Sequence, residues 1–392
     1  MVSSVAWLDH DDSQRKAMLE VVDLFREKGT VDDLGYGVIR DAFSNTFFPG
    51  VSVLHTRPRY ILFIGWLYAG LLSEKVSGDQ AIARGREREL NFAPALMASG
   101  ETEGVIGSVA GRALKRLPSA AYWASIRTYG LMRFGMGLEA YCRSLPALRR
   151  AEVPAGDALD ARHELWHLPE VPNSFLEGRL AFDFEGAEAD FLYERIIGVT
   201  GSTYLSWLLD QPLAEPCAFP WEHPAASAAP VRVQDGLRMA EFFAESQRGP
   251  SLLYNQLVAQ AADRPSLADE YRDQLEEWAT DIDSQFGNQP VNLSEFWALI
   301  GDAAGSVSAS TRVFVDWTLS LTQSERHRLS SDVSAHERLA LRERQLKGAM
   351  ARLSSKRSLD TWSGSSGLQA MDYRWSSVQP MVRDIVNGRT DA

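Results

Sequence analysis

The run YILFIGWLYAGLL, residues 60–72, decides the class of this protein. Its thirteen residues fall short of the roughly 20 that a bilayer-spanning helix needs, and Arg59 and Glu74 bracket it closely. A helix buried in a protein core is therefore expected, and no membrane crossing.

Helical spacing spreads outward from this run. Upstream, Asp9, Asp11 and Asp12 suit a helix N-terminus, Met18, Val21, Val22, Leu24 and Phe25 recur at three- and four-residue steps, and Gly29 ends the helix. A second helix, 39–47, stops at Pro49-Gly50, and the extended piece VSVLH leads into the apolar helix, placed at 58–74. Downstream, 79–98, 103–116, 118–133 and 137–149 also read as helices. Pro154, Gly156, Pro169 and Pro172 break the pattern over 153–175, and the Pro/Ala-rich stretch 211–230 breaks it again. Between and beyond these breaks, 187–197, 202–210, 235–247, 251–262, 267–286, 293–304, 310–321 and 335–354 carry helical patterns.

The expected fold is mainly α and multi-helical, with two or three packed helical units. At most a few short strands are expected, near Val51–Leu54 or Leu180–Phe184. Residues 1–152 read as an N-terminal helical unit and 153–230 as a Pro-rich linker with a small helical segment. Residues 231–392 read as a C-terminal helical unit with a basic helix and a Gly/Ser loop.

Composition narrows the class. With 392 residues, 45% hydrophobic and 23% charged, the chain is long and apolar enough for sizeable cores. Cys142 and Cys217 are its only cysteines, far apart and without a Cys-x-x-Cys spacing, and its start, MVSSVAWLDHDD, lacks the basic and apolar regions of a signal peptide. A cytoplasmic location is expected. A net charge of −12 disfavours nucleic-acid binding by the surface as a whole.

Charge is uneven, however. From Arg326 to Arg357 nine Arg and Lys face only Asp332, Glu337 and Glu343. Stepping about 100° per residue from Arg338, Leu339, Leu346, Met350 and Leu353 fall between about 60° and 120°, while Arg342 and Arg352 lie within about 40° of it. Lys356 joins if the helix continues, giving a basic stripe beside an apolar seam; Lys347 is a further candidate binding residue of the same region. Trp362-Ser-Gly364-Ser-Ser-Gly367 follows, then Asp372-Tyr-Arg374-Trp375. A small-residue loop lets backbone N–H groups approach an anion, and Arg with aromatic planes suits stacking. Arg40, Arg57 and Arg59 flank Pro49-Gly50 and suit bidentate contacts, with Asp41 as an internal alternative partner.

His163-Glu164-Leu165-Trp166-His167 matches H-E-x-x-H, which on a helix offers two imidazoles to zinc and a Glu as general base. Pro169 ends any such helix almost at the ligands, and no third ligand is announced, so His163 and His167 are only candidate metal ligands. Phosphate-binding, dinucleotide-binding and nucleophile-elbow motifs are absent from the sequence. Catalytic residues are not identified and no cofactor is expected.

Several blocks resemble a bacterial domain-of-unknown-function family. They are Ala6-Trp7-Leu8-Asp9, Leu34-Gly35 through Phe43, Phe48-Pro49-Gly50, Thr56-Arg57-x-Arg59-Tyr60 and Leu117-Pro118-Ser119 with Tyr122-Trp123. Trp166-His167, Arg344-x-Leu346-Lys347-Gly348, Trp362-x-Gly364-x-Ser366-Gly367 and Asp372-Tyr373-Arg374-Trp375 continue the likeness over nearly the whole chain. The resemblance implies genes in antiviral defence islands, near helicase and phospholipase-D-like nuclease genes, as in the Azaca system. It does not require His163 and Glu164. It implies a non-enzymatic accessory component of an anti-phage complex, contacting DNA or RNA or a helicase or nuclease partner. A zinc-dependent hydrolase and a direct DNA-binding protein are the alternatives.

Overall fold

The structure, a computed structural model, describes residues 33–151, 165–287, 291–301 and 307–390. The helix expected around Met18 to Phe25 and residues His163 and Glu164 lie outside the described residues. The principal helices are α1 (Gly37–Phe47), α2 (Tyr60–Gly70), α3 (Gly78–Leu90), α4 (Phe92–Ala98), α5 (Pro118–Thr128), α6 (Leu138–Ala151) and α7 (Glu188–Thr200). Then come α8 (Tyr204–Leu209), α9 (Val231–Ala261), α10 (Pro265–Phe286), α11 (Leu293–Ile300), α12 (Ala309–Leu319), α13 (Val333–Lys347) and α14 (Trp375–Thr390). The fold is mainly α, and among the described residues there is no strand, only an isolated antiparallel bridge between Met132 and Trp166.

The chain forms two compact units, each gathered from distant segments: one of residues 1–40, 240–299 and 305–371, the other of 41–239, 300–304 and 372–392. Contiguous segments bounded by Pro-rich breaks do not describe this grouping, because packing follows apolar faces rather than chain order.

In the second unit, α2 is buried from Tyr60 to Ala69 and packs against α5, as its unbroken apolar run requires. Tyr60 meets Tyr122 at 5.4 Å and Phe182 at 5.3 Å between ring centroids. Trp166 donates from Nε1 to Tyr141 at 3.0 Å, and Tyr141 donates to the Tyr68 carbonyl at 3.0 Å. Elsewhere in this unit, α14 packs on α7 and α8, with Trp375 parallel to Tyr204. In the first unit, Tyr36 sits beside Phe243 and Phe314, and Phe243 meets Phe296 at 5.7 Å.

Several expected elements differ. Residues 103–116 are not a helix: Gly100, Gly104, Gly107 and Gly111 all take positive φ, leaving a loop with one 3-10 turn at Gly111–Ala113. The patterns at 235–247 and 251–262 belong to one helix, α9, which runs through Pro250. The Trp278 indole N–H donates to the Glu245 carbonyl at 2.8 Å in the turn preceding that proline. Leu180–Phe184 is not a strand, because the Ala181 and Asp183 carbonyls accept from the Arg59 guanidinium, and Val51–Leu54 is likewise turn rather than strand. The basic helix stops at Lys347, where Gly348 takes φ 54°, so residues 348–354 leave the wheel.

Candidate binding surface

Asp332 caps α13 by accepting from the Ser334 and Ala335 amides. From that start the helix turns Arg342 inward, 3% exposed, where it donates to the Leu34 carbonyl at 2.8 Å and to Thr311 Oγ1 at 3.0 Å. Lys347 pairs with Asp33, and Arg352 reaches the same Asp33 oxygen at 2.8 Å. Glu343, fully buried, accepts from the Tyr254 hydroxyl at 2.5 Å and from the Arg352 and Leu353 amides at 2.8 and 3.0 Å. Two of the basic residues singled out by sequence, Lys347 and Arg352, thus share one charge network with the buried carboxylates Asp33 and Glu343, while Arg342 is buried against a carbonyl and a hydroxyl. The expected seam is also rearranged: Leu339 is buried, but Leu346 and Met350 are 41% and 63% exposed.

Arg338, half-buried, is not drawn into that network. Its guanidinium lies over the Trp317 ring at 5.3 Å. One turn away on α12, Val313 is 61% exposed, and Leu341, one turn beyond Arg338, is 54% exposed. Arg312, also on α12, stacks over Trp297 of α11 at 4.4 Å. Trp317, Arg312 and Val313 escaped the sequence reading, because which helix faces α13 is a tertiary fact. Lys356 is exposed on the short helix Lys356–Asp360.

Trp362 is 3% exposed with Arg264 over its ring at 5.5 Å, and its indole N–H has no hydrogen-bond partner among the described residues. The Gly/Ser loop that follows is tied to the first unit's helices. The Tyr271 hydroxyl donates to the Gly364 carbonyl at 2.6 Å, and Asn255 exchanges two 2.7 Å bonds with the Ser366 backbone. The Ser366 amide is therefore occupied. Gly364 and Gly367 take φ of 119° and 67°, which explains glycine there.

Arg374 and Trp375 belong to the other compact unit. Tyr373 and Arg374 take successive left-handed conformations, φ 52° and 67°, each costing roughly 1–3 kcal/mol. Asp372 offsets this strain by accepting from the Arg374 and Ser376 amides. Arg374 Nη1 donates to Asn45 Oδ1 at 2.7 Å and the Val51 carbonyl at 2.8 Å, and buried Trp375 donates to the Cys217 carbonyl at 3.1 Å.

Arg59, 1% exposed, is held by Glu188 at 2.7 Å and Glu185 at 3.0 Å. Arg57 pairs with Asp384 at 2.6 Å and lies over Phe182 at 4.7 Å. That pair lines a cavity of about 490 Å³ with Asp183, Phe184 and Asp190. Burial raises the Asp384 carboxyl above its ordinary range despite Arg57. Arg40 is half-buried and engaged with neighbours. His167 is exposed, its Nδ1 3.2 Å from the Gly130 carbonyl, and no group that could hold a metal ion occurs among the described residues. No helix among the described residues is long and apolar enough to cross a membrane.

The model of a family described as a family of unknown function matches residues 2–387. No curated protein and no solved structure matches the chain.

Proposed function

The chain belongs to that family, DUF6361, and from this premise we propose that it works by binding rather than by turnover, as a component of an anti-phage defence complex. The Arg338–Trp317 face is its contact with a helicase or phospholipase-D-like nuclease partner. One observation carries this reading: half-buried Arg338 stacks on Trp317 and is flanked by exposed Val313 and Leu341, while Arg342, Lys347 and Arg352 turn to internal partners. Arginine and tryptophan beside exposed aliphatic side chains is the composition of protein–protein hot spots.

The test is co-purification with a helicase and with a phospholipase-D-like nuclease, the partners that the resemblance implies. Arg338→Ala and Trp317→Ala, each truncating a hot-spot residue, are expected to weaken capture at least about tenfold. Lys356→Ala is expected to leave it intact. Full capture by both variants refutes the reading.

A further inference from the structure

Residues 104–138 contain Arg112, Lys115, Arg116, Arg127 and Arg133 and no Asp or Glu, in a chain of net charge −12. We infer that this tract forms a binding surface for single-stranded nucleic acid, running from the 104–117 loop along α5 to Phe134. It lies wholly in the second unit and needs nothing from the Arg338 face.

The loop is a fixed feature. The Thr56 hydroxyl donates to the Gly104 carbonyl at 2.7 Å, the Ile106 amide donates to Tyr60 at 3.0 Å, and Arg86 donates to the Leu114 carbonyl at 3.3 Å. These ties hold Val109 at 99% exposure at the tip, with exposed Arg112 and Lys115 beside it. Arg112 shares its charge with Glu87. Lys115 and Arg127 have no ion-pair partner among the described residues, so their charge faces water.

The helix that follows supplies a smooth rail. Tyr122, Trp123 and Ile126 are buried, whereas Ala120, Ala124 and Arg127 are exposed. Stepping about 100° per residue places those three within about 60° of one another. An α-helix of this length extends about 16 Å, and its outer face offers small side chains and a terminal cation but no carboxylate.

Beyond the helix, the bridge to Trp166 fixes the chain: Arg133 N donates to the Leu165 carbonyl at 3.0 Å and His167 N to the Leu131 carbonyl at 2.8 Å. Phe134 is thereby presented at 57% exposure, with the Arg133 guanidinium over its ring at 5.8 Å. An exposed aromatic plane backed by Arg is a platform for an unpaired base, and cations spaced along a tract without carboxylates suit one phosphate backbone. A duplex, whose bases are already stacked, has no use for Phe134. An acidic peptide has none for its plane.

Fluorescence anisotropy of labelled dT20 and rU20 with the full chain tests this. Neutralising about four phosphates implies a log–log salt slope near −3, or about a fiftyfold loss between 50 and 200 mM salt. The triple variant Lys115→Gln/Arg127→Gln/Arg133→Gln is expected to flatten the slope by about 2 and to weaken low-salt binding at least tenfold. Phe134→Ala is expected to lose about tenfold with its slope unchanged, and Arg338→Ala to change nothing. Lys115, Arg127, Arg133 and Phe134 are exposed, and unchanged circular dichroism confirms folding of every variant. No saturable binding, an unaltered triple variant, a duplex bound as tightly, or displacement by poly-glutamate would each overturn the inference. A preference between dT20 and rU20 identifies the natural strand.

Discussion

His55 is a buried base that stays neutral. It stacks on Tyr122 at 4.1 Å, its Nε2 lies 3.0 Å from the Ala121 carbonyl, and burial lowers its pKa from 6.5 to about 4. The unfolded chain takes up this proton first, so the stabilisation is full above pH 6.5 and is lost as pH falls towards 4. The loss approaches about 3 kcal/mol. Urea unfolding at pH 7 and pH 4.5 is expected to show this deficit in the wild type and a smaller one in His55→Asn. Arg59 makes the complementary case. Arg59→Met leaves Glu188 buried and unpaired and is expected to cost about 3 kcal/mol at pH 7. That cost shrinks at acid pH as Glu188, already raised above its ordinary range by burial, takes a proton. Zinc analysis bears on His167: substoichiometric metal, unchanged in His167→Ala, is expected, and stoichiometric zinc lost in the variant would restore the hydrolase reading.

At the scale of elements, α9 and α10 show why spacing alone misplaced a boundary. Pro250 normally ends a helix at a cost of about 3 kcal/mol, and a linear reading stops there. Here the helix continues, and Trp278 of α10, 1% exposed, packs on that turn and donates its indole N–H to the Glu245 carbonyl. A Cβ on Gly249 would approach the Trp278 ring at 2.2 Å. Alanine has a helix propensity about 1 kcal/mol better than glycine, but the clash is expected to win, so Gly249→Ala lowers stability by about 1–3 kcal/mol in thermal unfolding. The α2 run was legible because it is apolar on every side. The α13 wheel was half legible: its face was correct at Leu339, but Gly348 ended the helix before Met350 and Leu353. Nothing local in the sequence says that Asp33, some three hundred residues upstream, neutralises Lys347 and Arg352.

Across the whole molecule, charge explains more of the surface than any motif does. The C-terminal basic run drew attention because its cations are dense, yet density also brings carboxylates, and Glu343 lies among them. Residues 104–138 carry fewer cations and no carboxylate, a signal available in the sequence but hidden by reading 103–116 as a helix. Grouping residues from distant segments into each unit further separates Arg374 and Trp375 from the loop that precedes them in the chain. The surplus at Arg338 therefore has to be distinguished from the charge held inside. Arg338→Met and Arg342→Met, compared for thermal unfolding and for capture of the proposed helicase or nuclease partner, make that distinction. Arg338→Met should melt within about 2 °C of the wild type and lose at least tenfold in capture, whereas Arg342→Met should melt several degrees lower. Arg338→Met capturing the partner as well as the wild type does would contradict the assignment.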